Sequence, residues 1–206
     1  MHLRSLRLLV ALLALPLALR AGLAPAPTAI TPVKTGAQAP SAAVRTVDGT
    51  AVELASVLAG KPTVLIFYRG SWCPYCNRHL AALAEVEPQL RELGYQVVAV
   101  SPDETAGLQA MAAKNHLTYR LLSDRAMTAA SAFGVAFRVD AAGVAAYRGY
   151  GIELTPVPGE PDARWLPVPS VFIIDRAGVV RFSHTNPDFK VRLSGEEVLA
   201  AAKAAR

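Results

Sequence analysis

Residues 63–77 read TVLIFYRGSWCPYCN. The run Thr63–Tyr68 is too short for a helix and rich in β-branched and aromatic side chains, so it reads as a strand buried on both faces of a sheet. A short turn, Arg69-Gly70-Ser71, leads into Trp72-Cys73-Pro74-Tyr75-Cys76, and a helical pattern follows. The only two cysteines in the 206 residues therefore stand three apart, where a core strand hands over to a helix. In that setting a C-x-x-C pair is a redox motif. Cys73 falls at the helix start, where unpaired backbone N–H groups and the macrodipole favour an anion, so its thiol should ionise more readily than that of a free cysteine. Cys76 follows one turn later, close enough to resolve a mixed disulfide on Cys73. Pro74 suits the first helical position because it brings no N–H to leave unpaired. A structural zinc site takes four ligands. Cys73, Cys76 and His79 recur at steps of three, but no second cysteine pair exists and no metal site is read.

Upstream, Met1–Arg7 carries Arg4 and Arg7 without an acidic residue, and Leu8–Leu19 is an apolar run of signal-peptide length. It is too short to span a bilayer comfortably. Residues 1–29 are read as a signal peptide or anchor, with Ala24-Pro25-Ala26 offering a small-x-small cleavage pattern, and residues 30–206 as one domain. This implies a periplasmic or secreted protein, or one anchored to the inner membrane, whose N-terminal segment contacts the membrane during export. The formal charge of +5 falls to +2 without residues 1–29, which hold three arginines and no acidic residue. No Lys/Arg run remains that would serve nucleic-acid binding.

Ile30–Ala43 reads as an extended lead-in, and Val44–Leu54 alternates around the turn Asp48-Gly49 as a hairpin. Ala55–Ala59 is one helical turn before the core strand. Beyond the cysteines, Leu80, Leu83, Val86, Leu90 and Leu93 mark an amphipathic helix ending at Gly94, with a kink expected at Pro88. Gln96–Val100 is a second buried strand, and Ser101-Pro102-Asp103 is read as the cap of a helix reaching Lys114. A strand at Tyr119–Leu122 and a helix near Arg125–Phe133 follow. From Gly134 to Val168 the pattern dissolves into Gly- and Pro-rich pieces, read as an inserted hairpin or loop long enough to be functional. Val171–Asp175 and Val179–His184 form a hairpin, and Ser194 with Glu197 has the capping-box form before a last helix. The order of elements implies an α/β sandwich.

FYRGSWCPYC after a core strand, with VPSVFIIDRAGVVRF near the end, resembles the thioredoxin superfamily. More narrowly it resembles the peroxiredoxin-like branch of alkyl hydroperoxide reductase and thiol-specific antioxidant proteins, over roughly residues 36–205. The resemblance implies an α/β, thioredoxin-like three-layer sandwich with an N-terminal β-hairpin extension and an inserted loop or hairpin before a cis-proline, Pro169. It also implies chemistry at Cys73 and Cys76. Two departures bear on that chemistry. The peroxiredoxin loop Pro-x-x-x-Thr-x-x-Cys matches Arg69, Cys73 and Cys76 here, making Cys76 the peroxidatic position and Cys73 the replacement for threonine. The peroxide-polarising arginine matches Pro169. Both favour dithiol–disulfide exchange over fast peroxide reduction.

The reading is thus a thiol-dependent antioxidant oxidoreductase that cycles a Cys73–Cys76 dithiol and disulfide without a cofactor. It would act on protein or small-molecule disulfides, or on peroxides, and be recycled by a reducing dithiol partner. Around the pair, Trp72 is a platform beside the sulfurs or a core residue. Arg69 is a partner for a thiolate or peroxide oxygen, or a solvated loop residue. Arg192 and Arg148 are further anion partners or surface charges. His184 is a proton donor, a copper ligand or a structural histidine. The alternative functions are a copper chaperone using Cys73, Cys76 and His184, or a strict protein-disulfide reductase.

Overall fold

Val64 and Ile66 face one hydrophobic core while Leu65 and Phe67 face another, and all four side chains are fully shielded from solvent. The strand they form sits between two helical layers, which is why its sequence is apolar throughout rather than alternating. The same two-sided division recurs in its neighbours. Val97 and Ala99 share the core of Val64 whereas Val98 and Val100 share that of Leu65, and Val171 and Ile173 alternate likewise with Phe172 and Ile174.

The computed structural model describes residues 23–205. In chain order they form β1 (Ala43–Thr46), β2 (Ala51–Glu53), α1 (Leu54–Leu58), β3 (Thr63–Phe67), α2 (Pro74–Glu92), β4 (Gln96–Ser101) and α3 (Thr105–Lys114). These are followed by β5 (Arg120–Ser123), α4 (Thr128–Ala132), β6 (Ala136–Arg138), α5 (Ala141–Gly149), β7 (Trp165–Pro167), β8 (Ser170–Ile174), β9 (Val180–Thr185) and α6 (Gly195–Ala204). Seven strands make the central sheet in the order β2-β1-β5-β4-β3-β8-β9. β3, β4 and β5 run parallel, and β8 lies antiparallel against β3. Helices α2, α3 and α6 contribute to the core on one face, and α1 and α4 to that on the other. This is the three-layer α/β architecture expected from the sequence. The β1–β2 hairpin extends the sheet through β5.

Several boundaries differ from the sequence reading. The segment at residues 24–33 packs against residues 133–138. Ala24 pairs with Phe137, the Arg138 N–H donates to the Ala24 carbonyl, and the following segment bonds from Thr31 and Val33 to Gly134 and Phe133. Gly134 is required at this contact: its φ is +68°, and a Cβ would collide with the Thr31 carbonyl. The apolar run Leu8–Leu19 lies outside the described residues. Among those described, no helix is long and apolar enough to cross a membrane.

The inserted segment is a hairpin, with β6 and β7 paired antiparallel as a separate two-stranded sheet. It also carries a helix that the sequence reading missed. Asp140 caps α5, its carboxylate accepting from the Gly143 N–H at 2.7 Å. The expected cap of α3 by Asp103 is not formed. Glu104 is the cap residue, without a side-chain bond, and Asp103 turns to the reactive loop instead. The helix expected near 125–133 is the five-residue α4, because Asp124 ends the preceding turn by accepting from the Ala129 and Ala130 N–H groups. Helix α2 continues past Pro88 to Glu92, and Ser194 and Glu197 form both bonds of the capping box on α6.

Candidate functional site

The end of β3 and the start of α2 bring the two sulfurs together. Cys73 is the N-cap of α2, in extended conformation, and its sulfur accepts from the Cys76 N–H at 3.4 Å. Pro74 occupies the first turn, so this thiol meets the positive end of a 19-residue helix. The turn before it is tied down. Asp103 accepts from the Ser71 N–H at 2.7 Å and from the Ser101 hydroxyl at 2.9 Å, and the Asn77 side-chain amide donates to the Ser71 carbonyl. Gly70, at φ +149°, leaves room for the Trp72 indole, since a Cβ there would lie 2.5 Å from Nε1.

The two thiols are free and fully buried, yet they are electrostatically unlike. The Cys73 thiol is pulled down to about 6 from an ordinary value of 9.0. The largest cause is a hydrogen bond from the Cys76 thiol, joined by the Cys76 N–H and by the charges of Arg69 and Arg192 against the opposing effect of burial. Cys76 is pushed well up, first by burial and then by the neighbouring sulfur. These shifts favour the thiolate at Cys73 and the neutral thiol at Cys76.

Arg69 is 4% exposed, with Nη1 3.7 Å from the Cys73 sulfur. The solvated-loop alternative for it is thereby ruled out. Three aromatic rings enclose its guanidinium carbon, with centroids at 3.8 Å for Phe189, 4.9 Å for Trp72 and 5.3 Å for Tyr147. Its Nη2 donates to the Tyr147 hydroxyl on α5. Behind the pair, Arg192 Nη2 lies 3.8 Å from the Cys76 sulfur. His79 is 7% exposed, and the Nε2 atoms of His79 and His184 and the Nε of Arg192 find no hydrogen-bond partner. Arg148, by contrast, is outside the site, paired with Glu153 at 2.8 Å on the surface.

Trp72 is half-buried and stacks edge-on against Tyr147 at 5.5 Å. Pro169 is buried and shares a cavity of about 290 Å³ with Arg69 and Tyr147, but it is not cis: all described peptide bonds are trans. The backbone on either side is held in the trans form by the Val168 N–H donating to the Val135 carbonyl and the Ser170 hydroxyl donating to the Val168 carbonyl. Among the described residues no three His, Cys, Asp or Glu side chains gather as a metal site, so the Cys73, Cys76 and His184 copper arrangement is not formed. The sequence reading missed Tyr147 and Phe189. The Asp140 cap was a signal for the helix bearing Tyr147, whereas the loop bearing Phe189 has no periodicity to read.

Residues 35–183 match the AhpC/TSA family profile. The chain is 27% identical over 154 residues to the chloroplastic peroxiredoxin Q of Triticum aestivum, covering 75% of this chain and 60% of that protein. It thus spans about three-fifths of that relative's length. Over 70 residues it is 34% identical to the thiol-disulfide oxidoreductase ResA of Bacillus thuringiensis, covering 34% of this chain and 39% of that one. Among solved structures, peroxidoxin BcpB from Mycobacterium tuberculosis superposes with a TM-score of 0.64 at 22% identity, covering 84% of this chain and 99% of that one. The periplasmic or secreted location expected from the N-terminus is overturned by the relatives whose names state a compartment, the plant peroxiredoxins Q, which are chloroplastic. With nearly three-quarters of its length inside the matched profile, the chain belongs to the AhpC/TSA family.

Proposed function

We propose that this chain is a thiol-dependent peroxidase that cycles Cys73 and Cys76 between dithiol and disulfide. The observation that carries the reading is a helix-capping thiolate with a guanidinium 3.7 Å away and a neutral thiol one turn behind it. Cys73 attacks one oxygen of a peroxide, the O–O bond breaks, and Cys73 becomes a sulfenic acid while the alkoxide or hydroxide leaves and takes a proton from water. Arg69 is placed to donate to the oxygen on which charge develops. The Cys76 sulfur then displaces hydroxide from Cys73, and its own proton completes the water released. A dithiol partner reduces the disulfide by two exchange steps.

Full burial of both sulfurs favours a small substrate over a folded protein disulfide. The peroxiredoxin Q relatives agree with that preference, while the shorter likeness to ResA keeps disulfide exchange as the second reading. Hydrogen peroxide added to the reduced protein, followed by mass spectrometry of quenched samples, tests the assignment. Wild type should lose two hydrogens, Cys76→Ser should stop with one oxygen on Cys73, and Cys73→Ser should not react on the same timescale. Rapid oxygenation of Cys76 in Cys73→Ser would transfer the first step to the other sulfur.

A further inference from the structure

Helix α5 lies over the reactive pair, yet it has no fully buried residue of its own. It is held by a small cluster separate from the two main cores, in which Val144, Tyr147 and Ile152 pack with Val139, Leu154, Leu166 and Trp72. Segments with few buried apolar contacts open at low free energy relative to the global unfolding of the domain. One side chain of this lightly anchored helix reaches the chemistry. Tyr147 places its ring against Trp72, stacks beside the Arg69 guanidinium and accepts a hydrogen bond from it. Arg69 in turn covers Cys73, which has no exposed surface. Outside this closure lies a mostly apolar groove of about 780 Å³. Tyr75, Tyr147, Ile152 and Phe189 help to line it, and Tyr150, 81% exposed, lines it as well. Neither cysteine lines this groove, and Tyr147 and Arg69 stand between a bulky substrate lying in it and the Cys73 sulfur.

We propose that Tyr147 is a specificity-determining gate: closed on Arg69, it lets small peroxides reach Cys73 and keeps larger disulfides in the groove away from it. The proposal rests on Cys73 being the attacking sulfur. When α5 swings away, a disulfide R–S–S–R can approach. The Cys73 thiolate then bonds to one sulfur and expels RS⁻, and Cys76 displaces the second RS⁻ and gives its proton to solvent. The protein loses two electrons and the disulfide gains them.

The test compares single-turnover rates of the reduced full chain with hydrogen peroxide and with an aromatic disulfide, dithiobis(nitrobenzoate), whose released thiolate is coloured. Wild type should favour peroxide. In Tyr147→Ala the ratio of disulfide rate to peroxide rate should rise by about tenfold or more, the change expected when one closing interaction is removed from a barrier. Tyr147→Phe keeps the ring and loses the bond to Arg69, so its ratio should rise in the same direction by less; it also serves if Tyr147→Ala does not fold. A ratio unchanged in Tyr147→Phe and in any folded Tyr147→Ala would overturn the gate, as would a wild type that reacts equally fast with both probes. A wild type inert towards peroxide would instead sink the peroxidase reading. The disulfide rates of wild type and variants would still decide the gate.

Discussion

Cys73 and Cys76 are one helical turn apart, and the two sides of the molecule treat them differently. On the Cys73 side a cation is enclosed in aromatic rings and satisfied by a tyrosine hydroxyl, with the helix N-terminus adding positive potential. On the Cys76 side another arginine approaches the sulfur, but its Nε and the Nε2 atoms of His79 and His184 are left without partners. One environment favours an anion, and the other keeps a thiol neutral by burying it beside the first sulfur. The lesson is that the C-x-x-C turn itself separates the two thiols, through burial, the Cys76 thiol and N–H and the helix start, while Arg69 and Arg192 add to the difference.

The largest break in this asymmetry is expected from Arg69→Leu. Removing a buried charge 3.7 Å from the thiolate should raise the Cys73 pKa by about one unit or more, the usual effect of an opposite charge at such range. It should also slow peroxide reduction by about a hundredfold, the scale on which one donor to a developing oxyanion acts. Thiolate absorbance against pH and stopped-flow rates measure the two effects. An unchanged thiolate titration would mean that the helix terminus and Cys76 suffice without the arginine.

A second test uses stability. The Cys73 pKa falls from 9.0 in the unfolded chain to about 6 in the fold, so the native state binds fewer protons between these values. Stability from this group is fully present above about pH 9 and is lost as pH falls towards 6. The disulfide form has no such proton to bind. Denaturant midpoints of the reduced protein should therefore fall more steeply than those of the oxidised protein as pH is lowered through this window. Parallel curves would remove the case for a thiolate at Cys73.

The asymmetry was only half legible in the sequence. The apolar run 63–68, the proline after Cys73 and the three-residue spacing disclosed the strand, the helix start and the pair, because these are local patterns with local causes. Arg69 was visible as a neighbour in sequence, and Arg192 as a candidate without a place. Tyr147 arrives from 78 residues away, on a helix whose Ala- and Gly-rich sequence gives little apolar periodicity, and only tertiary packing aims it at Arg69. Asp103 looked like a helix cap because capping and loop-tethering use the same acceptor chemistry. Here the reactive loop won the carboxylate.

The smallest expected effect concerns the Cys76 side. His79 is shifted down from 6.5 to about 4, first by burial and then by the charges of Arg192 and His184, with a hydrogen bond to the Leu193 backbone acting the other way. Glu197, on α6, lies within electrostatic range of His184. A neutral imidazole is thus built into the fold, and protonating it puts a charge beside the Arg192 guanidinium. Because the folded value lies below the unfolded one, the stability it contributes is complete above about pH 6.5 and drains away as pH falls towards 4, by about 3 kcal/mol for such a shift. His79→Leu removes the titrating group and its unpaired Nε2 together, so the variant should lose less stability than wild type between pH 7 and pH 4.5. Urea midpoints at the two pH values give the comparison, and carboxylates common to both proteins cancel in the difference. An equal loss in both proteins would place the acid sensitivity elsewhere, with His184 as the next group to remove.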